Sequence, residues 1–127
     1  MIYGVGTDVV EIGRIEKALE RWGERFALRI LCDPELKRFR KHRQPVAYLA
    51  KRFAAKEAFT KALGTGIKAP ANWHGVWVAN LPSGKPELQF TRELNLLLSQ
   101  RGISRTHVSL SDERGVAVAT VILECGS

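Results

Sequence analysis

Cysteine is scarce: the 127 residues contain two, Cys32 and Cys125. They stand far apart and match no metal-ligand or redox spacing, so reduced thiols are expected and a disulfide framework is not. Long apolar runs are missing too, none approaching the ~20 residues that span a bilayer. The opening Met1-Ile-Tyr-Gly-Val-Gly-Thr-Asp8 lacks the basic region and apolar stretch of a secretory signal. These absences lead to the expectation of a soluble cytoplasmic protein with no membrane partner. Repeats, linkers and low-complexity tracts are absent as well, and residues 1–127 are expected to form one domain. Acids are in deficit, 13 Asp and Glu against 20 Lys and Arg, for a net charge of +7. The imbalance implies an acidic partner: nucleic acid, an anionic surface, an acidic protein or a phosphorylated small molecule.

Hydrophobic residues make up 45% and charged residues 26%, as in ordinary globular proteins. Ile2 to Val10 reads as a strand, with Gly4 and Gly6 on one face and Tyr3, Val5 and Thr7 on the other. A helix follows in which Ile12, Ile15, Leu19 and Trp22 recur with helical period and face the core. Arg14, Lys17, Arg21 and Arg25 project from its exposed sides. Asp33-Pro34-Glu35 starts another helix, with Asp33 as cap, proline in the first turn and an acid near the positive dipole end. Gln44-Pro45 breaks that helix and opens a long one. There Val46, Leu49, Ala50, Phe53 and Ala54 form one buried face. Glu57 falls beside this face and needs a partner, for which Lys61, one turn on, is the candidate. The helix ends at Gly64-Thr-Gly66, where glycine allows positive φ and close backbone approach.

An irregular stretch, Ile67 to Trp73, leads to a hairpin of Gly75–Asn80 and Glu87–Phe90 around Pro82-Ser-Gly-Lys-Pro86. Thr91 caps a short helix over Arg92 to Gln100, with Leu94, Leu97 and Leu98 inward and Gly102 closing it. Thr106 to Asp112 alternates as a strand, with His107, Ser109 and Ser111 on one face. After a turn at Glu113-Arg-Gly115, Val116 to Leu123 is apolar on both faces except for Thr120. Such a strand must be covered on both sides, and another subunit can supply one cover. The order strand, three helices, hairpin, helix, hairpin predicts an α+β fold, an antiparallel sheet packed against the long central helix and shorter helices.

Taken singly, the polar residues have plain readings. Asp8 can cap a helix, Glu57 can pair with Lys61 for a few tenths of a kcal/mol, and His107 can be structural. Lys61-Ala-Leu-Gly-Thr-Gly66 is not a P-loop, because its lysine precedes the glycines and it ends a helix. Taken in order, they form a set. Gly6-Thr-Asp8-Val-Val-Glu-Ile, Arg52-Phe-Ala-Ala-Lys-Glu57-Ala, Lys61-Ala-Leu-Gly-Thr-Gly-Ile67 and His107-Val-Ser-Leu-Ser111 together resemble the holo-acyl-carrier-protein synthases. These are the small bacterial 4′-phosphopantetheinyl transferases. The resemblance runs nearly end to end, through Gly84-Lys85-Pro86 and Ala119-Thr-Val-Ile122. Asp112 departs from the pattern, standing where some relatives have histidine, which puts a proton-transfer role there in doubt.

The resemblance implies a single 4′-phosphopantetheinyl transferase domain over residues 1–127. It also implies transfer of the phosphopantetheine arm of coenzyme A to a serine of apo acyl carrier protein, in support of fatty acid biosynthesis. Asp8 and Glu57 would hold Mg²⁺, and with His107 carry catalysis. Lys61, Gly64, Gly66, His107 and Ser109 would bind coenzyme A. Arg14, Arg21 and Arg25 resemble cations that dock the acidic carrier protein, and the family is homotrimeric with sites between subunits. The serine proton goes either to Glu57 through a water on the metal or to His107. A basic nucleic-acid-binding module is the rival reading, from the charge and Trp22, Trp73 and Trp77, but no recognition-helix, zinc or stacking signature supports it. A non-catalytic adaptor would have no use for the Asp8 and Glu57 pair.

Overall fold

In a computed structural model describing residues 1–126, strand β1 (Ile2–Glu11) hands over directly to helix α1 (Ile12–Trp22). Then come α2 (Glu24–Ile30), α3 (Asp33–Lys41) and the long α4 (Pro45–Leu63). A hairpin of β2 (Val76–Asn80) and β3 (Pro86–Phe90) leads to α5 (Arg92–Gln100), β4 (Ile103–Glu113) and β5 (Val116–Cys125). The class is α+β, as the order of elements predicts. Strands β1, β5 and β4 form one antiparallel sheet with β5 in the middle, and β2 and β3 form a separate pair. No helix among the described residues is long and apolar enough to cross a membrane.

Helix α4 lies against the three-stranded sheet at unusually short range, and Gly4 and Gly6 are the reason. A Cβ at Gly4 would stand 2.0 Å from Ala62 O, and one at Gly6 1.9 Å from Ala58 O. The helix contributes small residues in turn: Ala50, Ala54, Ala55 and Ala58 are fully buried beside Leu49 and Phe59. The single apolar stripe expected of α4 is thus too narrow a description. The sheet covers one side and the other helices with β2 cover the rest, so the helix is buried nearly all round.

Two local expectations change. Trp22 is 52% exposed, not in the core, because Gly23 (φ 63°) ends α1 at that point. The chain reverses there into α2, whose Ala27 and Ile30 fill the core instead. This extra helix also carries Arg25, which therefore lies beyond the first helix. Asp33 is not the cap of α3. Cys32 holds that position, its backbone N–H donating to Glu35 Oε1 at 2.9 Å. Strand β5 has one face covered among the described residues and the other left open, where the sequence reading allows another subunit. Ala117, Ala119, Val121 and Leu123 are buried toward α4, whereas Val116, Val118, Thr120 and Ile122 are half-exposed.

Candidate active site

Alternation along β1 puts Gly4, Gly6, Asp8 and Val10 on the face that meets α4. The close glycine contacts draw that face against the last turns of the helix, so Asp8 comes up beside Lys61. Lys61 Nζ donates to Asp8 Oδ1 at 3.0 Å and to Thr7 O at 3.1 Å. The partner expected for Glu57 is therefore engaged elsewhere. A lysine at the end of α4 reaches the acid of the strand more directly than the acid one turn back on its own helix.

Glu57 itself is half-buried, and among the described residues its carboxylate takes part in no hydrogen bond or ion pair. Burial pushes its carboxyl above the usual carboxylate range. The negative charge of Asp8 pushes it the same way, and Lys61 opposes in part. Residues nearly fifty positions apart thus sit within electrostatic reach, and Lys61 offsets their charge only in part. That donor set fits Mg²⁺, which takes one or two carboxylates and completes its octahedron with phosphate oxygens and waters. Among the described residues no group of three or more His, Cys, Asp or Glu side chains forms a cage. One turn beyond, Gly64 (φ 88°) and Gly66 (φ 68°) adopt left-handed conformations as the chain leaves α4. A Cβ at either would meet nothing within 4 Å, so these glycines are required by backbone conformation and leave the approach open.

His107 and Ser109 are not brought to this place. In β4, Leu110 stands level with Ala119 and Asp8 on the face toward α4. His107 is level with Ile122 and Val5, and Ser109 with Thr120 and Thr7, on the opposite, open face. A sheet therefore separates the two halves of the expected site within one chain. His107 Nε2 lies 2.5 Å from Glu124 Oε1, and this contact holds the Glu124 carboxyl below its ordinary value. Asp112, on the α4 side of β4, pairs with Lys51 at 2.9 Å.

Arg14, Arg21 and Arg25 are exposed, and none pairs with an acid among the described residues. The Arg21 guanidinium lies 4.9 Å from the centroid of the Trp22 ring, an exposed cation and aromatic side by side. One polar cluster escaped the sequence reading altogether. Lys56, next to Glu57, is fully buried against Glu35, with Nζ 2.7 Å from Oε1. The available signal was its place inside the Ala-rich stretch of α4, where a free lysine would be stranded.

A family description, the 4′-phosphopantetheinyl transferase superfamily, matches residues 4–121. A holo-[acyl-carrier-protein] synthase of Nitrosospira multiformis is 52% identical over 124 residues, 98% of this chain and 99% of that one. The chain belongs to the holo-[acyl-carrier-protein] synthases of this superfamily. Among solved synthases, that of Neisseria meningitidis is 45% identical with a TM-score of 0.95, over 98% of this chain and 99% of its own. A synthase from Bacillus anthracis, 36% identical with a TM-score of 0.83 and 99% of each chain covered, was solved in complex with CoA (3′,5′-ADP). The synthase fold thus extends over the whole arrangement of β1, α4 and the glycine exit described above.

Proposed function

We propose that this synthase moves the 4′-phosphopantetheine arm of coenzyme A to a serine hydroxyl of apo acyl carrier protein, with Mg²⁺ required. The reaction supports fatty acid biosynthesis in the cytoplasm. The observation that carries the reading is the unpartnered Glu57 carboxylate beside the Asp8–Lys61 pair, at the glycine exit of α4. The serine oxygen bonds to the phosphorus that bears the pantetheine arm, the bond from that phosphorus to the bridging oxygen breaks, and adenosine 3′,5′-bisphosphate leaves with that oxygen. Asp8 and Glu57 would hold the metal, which when bound supplies charge neutralisation across the diphosphate. Lys61 meets a phosphate from the end of α4, and the open backbone at Gly64 and Gly66 receives the nucleotide end of coenzyme A. The candidate acceptors for the serine proton are Glu57, acting through a water, and the His107 imidazole.

A homotrimer reconciles this site with the sheet. The open face exposes Val5 (59%) and Val9 (63%) beside half-exposed Val116, Val118 and Ile122. A neighbouring copy seated there buries an apolar strip that one chain leaves wet. It also brings His107 and Ser109 of one subunit toward Asp8 and Glu57 of the next. Incubation with apo carrier protein, coenzyme A and Mg²⁺ is expected to add the mass of one phosphopantetheine group to the carrier, and EDTA to stop it. An unmodified carrier would overturn the transferase reading, and transfer undiminished by EDTA would remove the metal.

Arg14, Arg21 and Arg25 are assigned to docking of the acidic carrier. Charges at an interface rim act mainly on association rate and salt sensitivity. Arg14→Glu is expected to raise KM for the carrier protein about tenfold, with little change for coenzyme A. Equal effects on both substrates in steady-state kinetics would rule docking out.

A further inference from the structure

Lys56 has no part in the chemistry above, yet it is fully buried one residue from Glu57. Its three ammonium protons have three oxygens to meet: Ile30 O at 2.7 Å, Glu35 Oε1 at 2.7 Å and Trp73 O at 2.8 Å. Glu35 is equally engaged, since Cys32 N–H donates to Oε1 and Val78 N–H to Oε2, each at 2.9 Å. The knot joins the end of α2, the start of α3, the middle of α4, the segment before β2, and β2 itself.

The contact with Trp73 has a consequence for the site. Residues 64–75 leave α4 at Gly64, and the segment returns along the same helix so that Trp73 stacks on Phe53 with ring centroids 5.0 Å apart. The segment is thus fixed to α4 twice, by the chain itself at Leu63–Gly64 and by Lys56 with Phe53 at Trp73. Within the segment Lys68 N–H donates to Ala71 O at 3.2 Å and Gly75 N–H to Asn72 O at 3.0 Å. The far end has further anchors, His74 Nε2 lying 2.8 Å from Leu28 O and Thr91 N–H donating to Gly75 O at 2.9 Å, but the contacts at Trp73 are those that tie this end to α4 itself.

The geometry points to Lys56 as a positioning residue for coenzyme A: its bond to Trp73 O straps the 64–75 segment to α4 and so sets the glycine backbone that receives the nucleotide. The inference rests on the assignment of that backbone to coenzyme A given above. It also accounts for a lysine where an apolar side chain would satisfy packing. An apolar residue has no donor for the Trp73 carbonyl, which among the described residues is otherwise met by the weak Cys32 thiol at 3.9 Å.

Lys56→Met leaves Glu35 a buried charge without its cation and is expected to lower stability. Lys56→Met/Glu35→Gln removes both charges and should melt closer to wild type. Both are expected to raise KM for coenzyme A about tenfold or more, with KM for the carrier nearly unchanged, because a displaced binding segment costs affinity at a distance. Amide exchange across 64–75 should quicken in the double variant even where its melting temperature recovers. Phe53→Leu loosens the same strap from its other contact and should raise the coenzyme A KM to a lesser degree. A double variant with wild-type coenzyme A KM and wild-type exchange would leave Lys56 a structural residue only. If neither Lys56 variant folds, an unchanged coenzyme A KM in Phe53→Leu overturns the proposal. Wild-type transfer in the mass assay tests the underlying function separately, so its failure is distinguishable from failure of the strap.

Discussion

Glu57→Gln is expected to reduce turnover on the order of 10³-fold while the protein becomes slightly harder to melt. The loss follows from the geometry. Asp8 alone, neutralised by Lys61 at 3.0 Å, retains little to offer a cation, so removing the Glu57 charge removes the unsatisfied half of the pair. The gain in stability follows from the shifted carboxyl. Burial and Asp8 raise it above its ordinary value, so the folded chain keeps this proton more tightly than the unfolded chain does. Stability contributed by Glu57 is therefore present at low pH and is lost as pH rises through the interval between the unfolded and folded values. Glutamine has no proton to lose. In metal-free buffer near neutrality the variant should melt above wild type, and the difference should vanish in acid. A variant with near-normal transfer would remove Glu57 from the site, whereas inactivity with a lowered melting point would point to damage of α4.

The same variant addresses how the site is assembled. Glu57→Gln and His107→Ala each disable one side of the sheet, and if sites form between subunits their defects lie in different places. Co-expressed, the two chains should form mixed assemblies in which some junctions keep Glu57 from one chain and His107 from another. Recovery of transfer in the mixture, absent from either variant alone, is the expected result. No recovery in mixed assemblies verified by mass would place both residues in the same subunit's site.

Gly6→Ala should cost about 3 kcal/mol or more, placing it among the most damaging single changes available to this chain. Its added carbon would lie 1.9 Å from Ala58 O, and the obstacle is helix backbone, which cannot rotate aside as a side chain would. Either β1 or α4 must retreat, and both carry site residues: Asp8 two positions along the strand, Glu57 and Lys61 on the facing turns. A domain of this size should lose about 10 °C or more in melting temperature. Any folded remainder should transfer poorly even well below its melting point. Scanning calorimetry with residual activity at low temperature checks both parts. A variant within a degree or two of wild type would mean that strand and helix have slack that their spacing does not show.

Legibility in the sequence follows the range of the forces concerned. Helix α4, the β2–β3 hairpin and the Thr91 cap rest on local periodicity and turn chemistry, and they form where those signals fall. In the cap, Leu94 N–H donates to Thr91 Oγ1 at 3.3 Å. The break at Gly23 was hidden because the apolar spacing of α1 runs on into Trp22, and a single glycine within a helical pattern does not announce a reversal. The Lys61 partner was misread because sequence spacing favours an acid one turn away, while Asp8 arrives from a strand 53 residues distant. For the same reason the Lys56–Glu35 knot went unseen: its partners are 21 residues apart, and only the packing of α3 on α4 joins them. The sidedness of His107 was in principle available, since alternation along β4 and β5 fixes faces. What it lacked was the register that levels Leu110, rather than His107, with Asp8.

That register has a consequence for the protein's life at low abundance. A solitary chain displays Asp8 and Glu57 on one side of the sheet and His107 and Ser109 on the other, facing away from each other. Under the trimeric reading, newly made chains stay idle until enough copies accumulate to meet, and the cell's supply of working synthase climbs more steeply than the number of chains it makes.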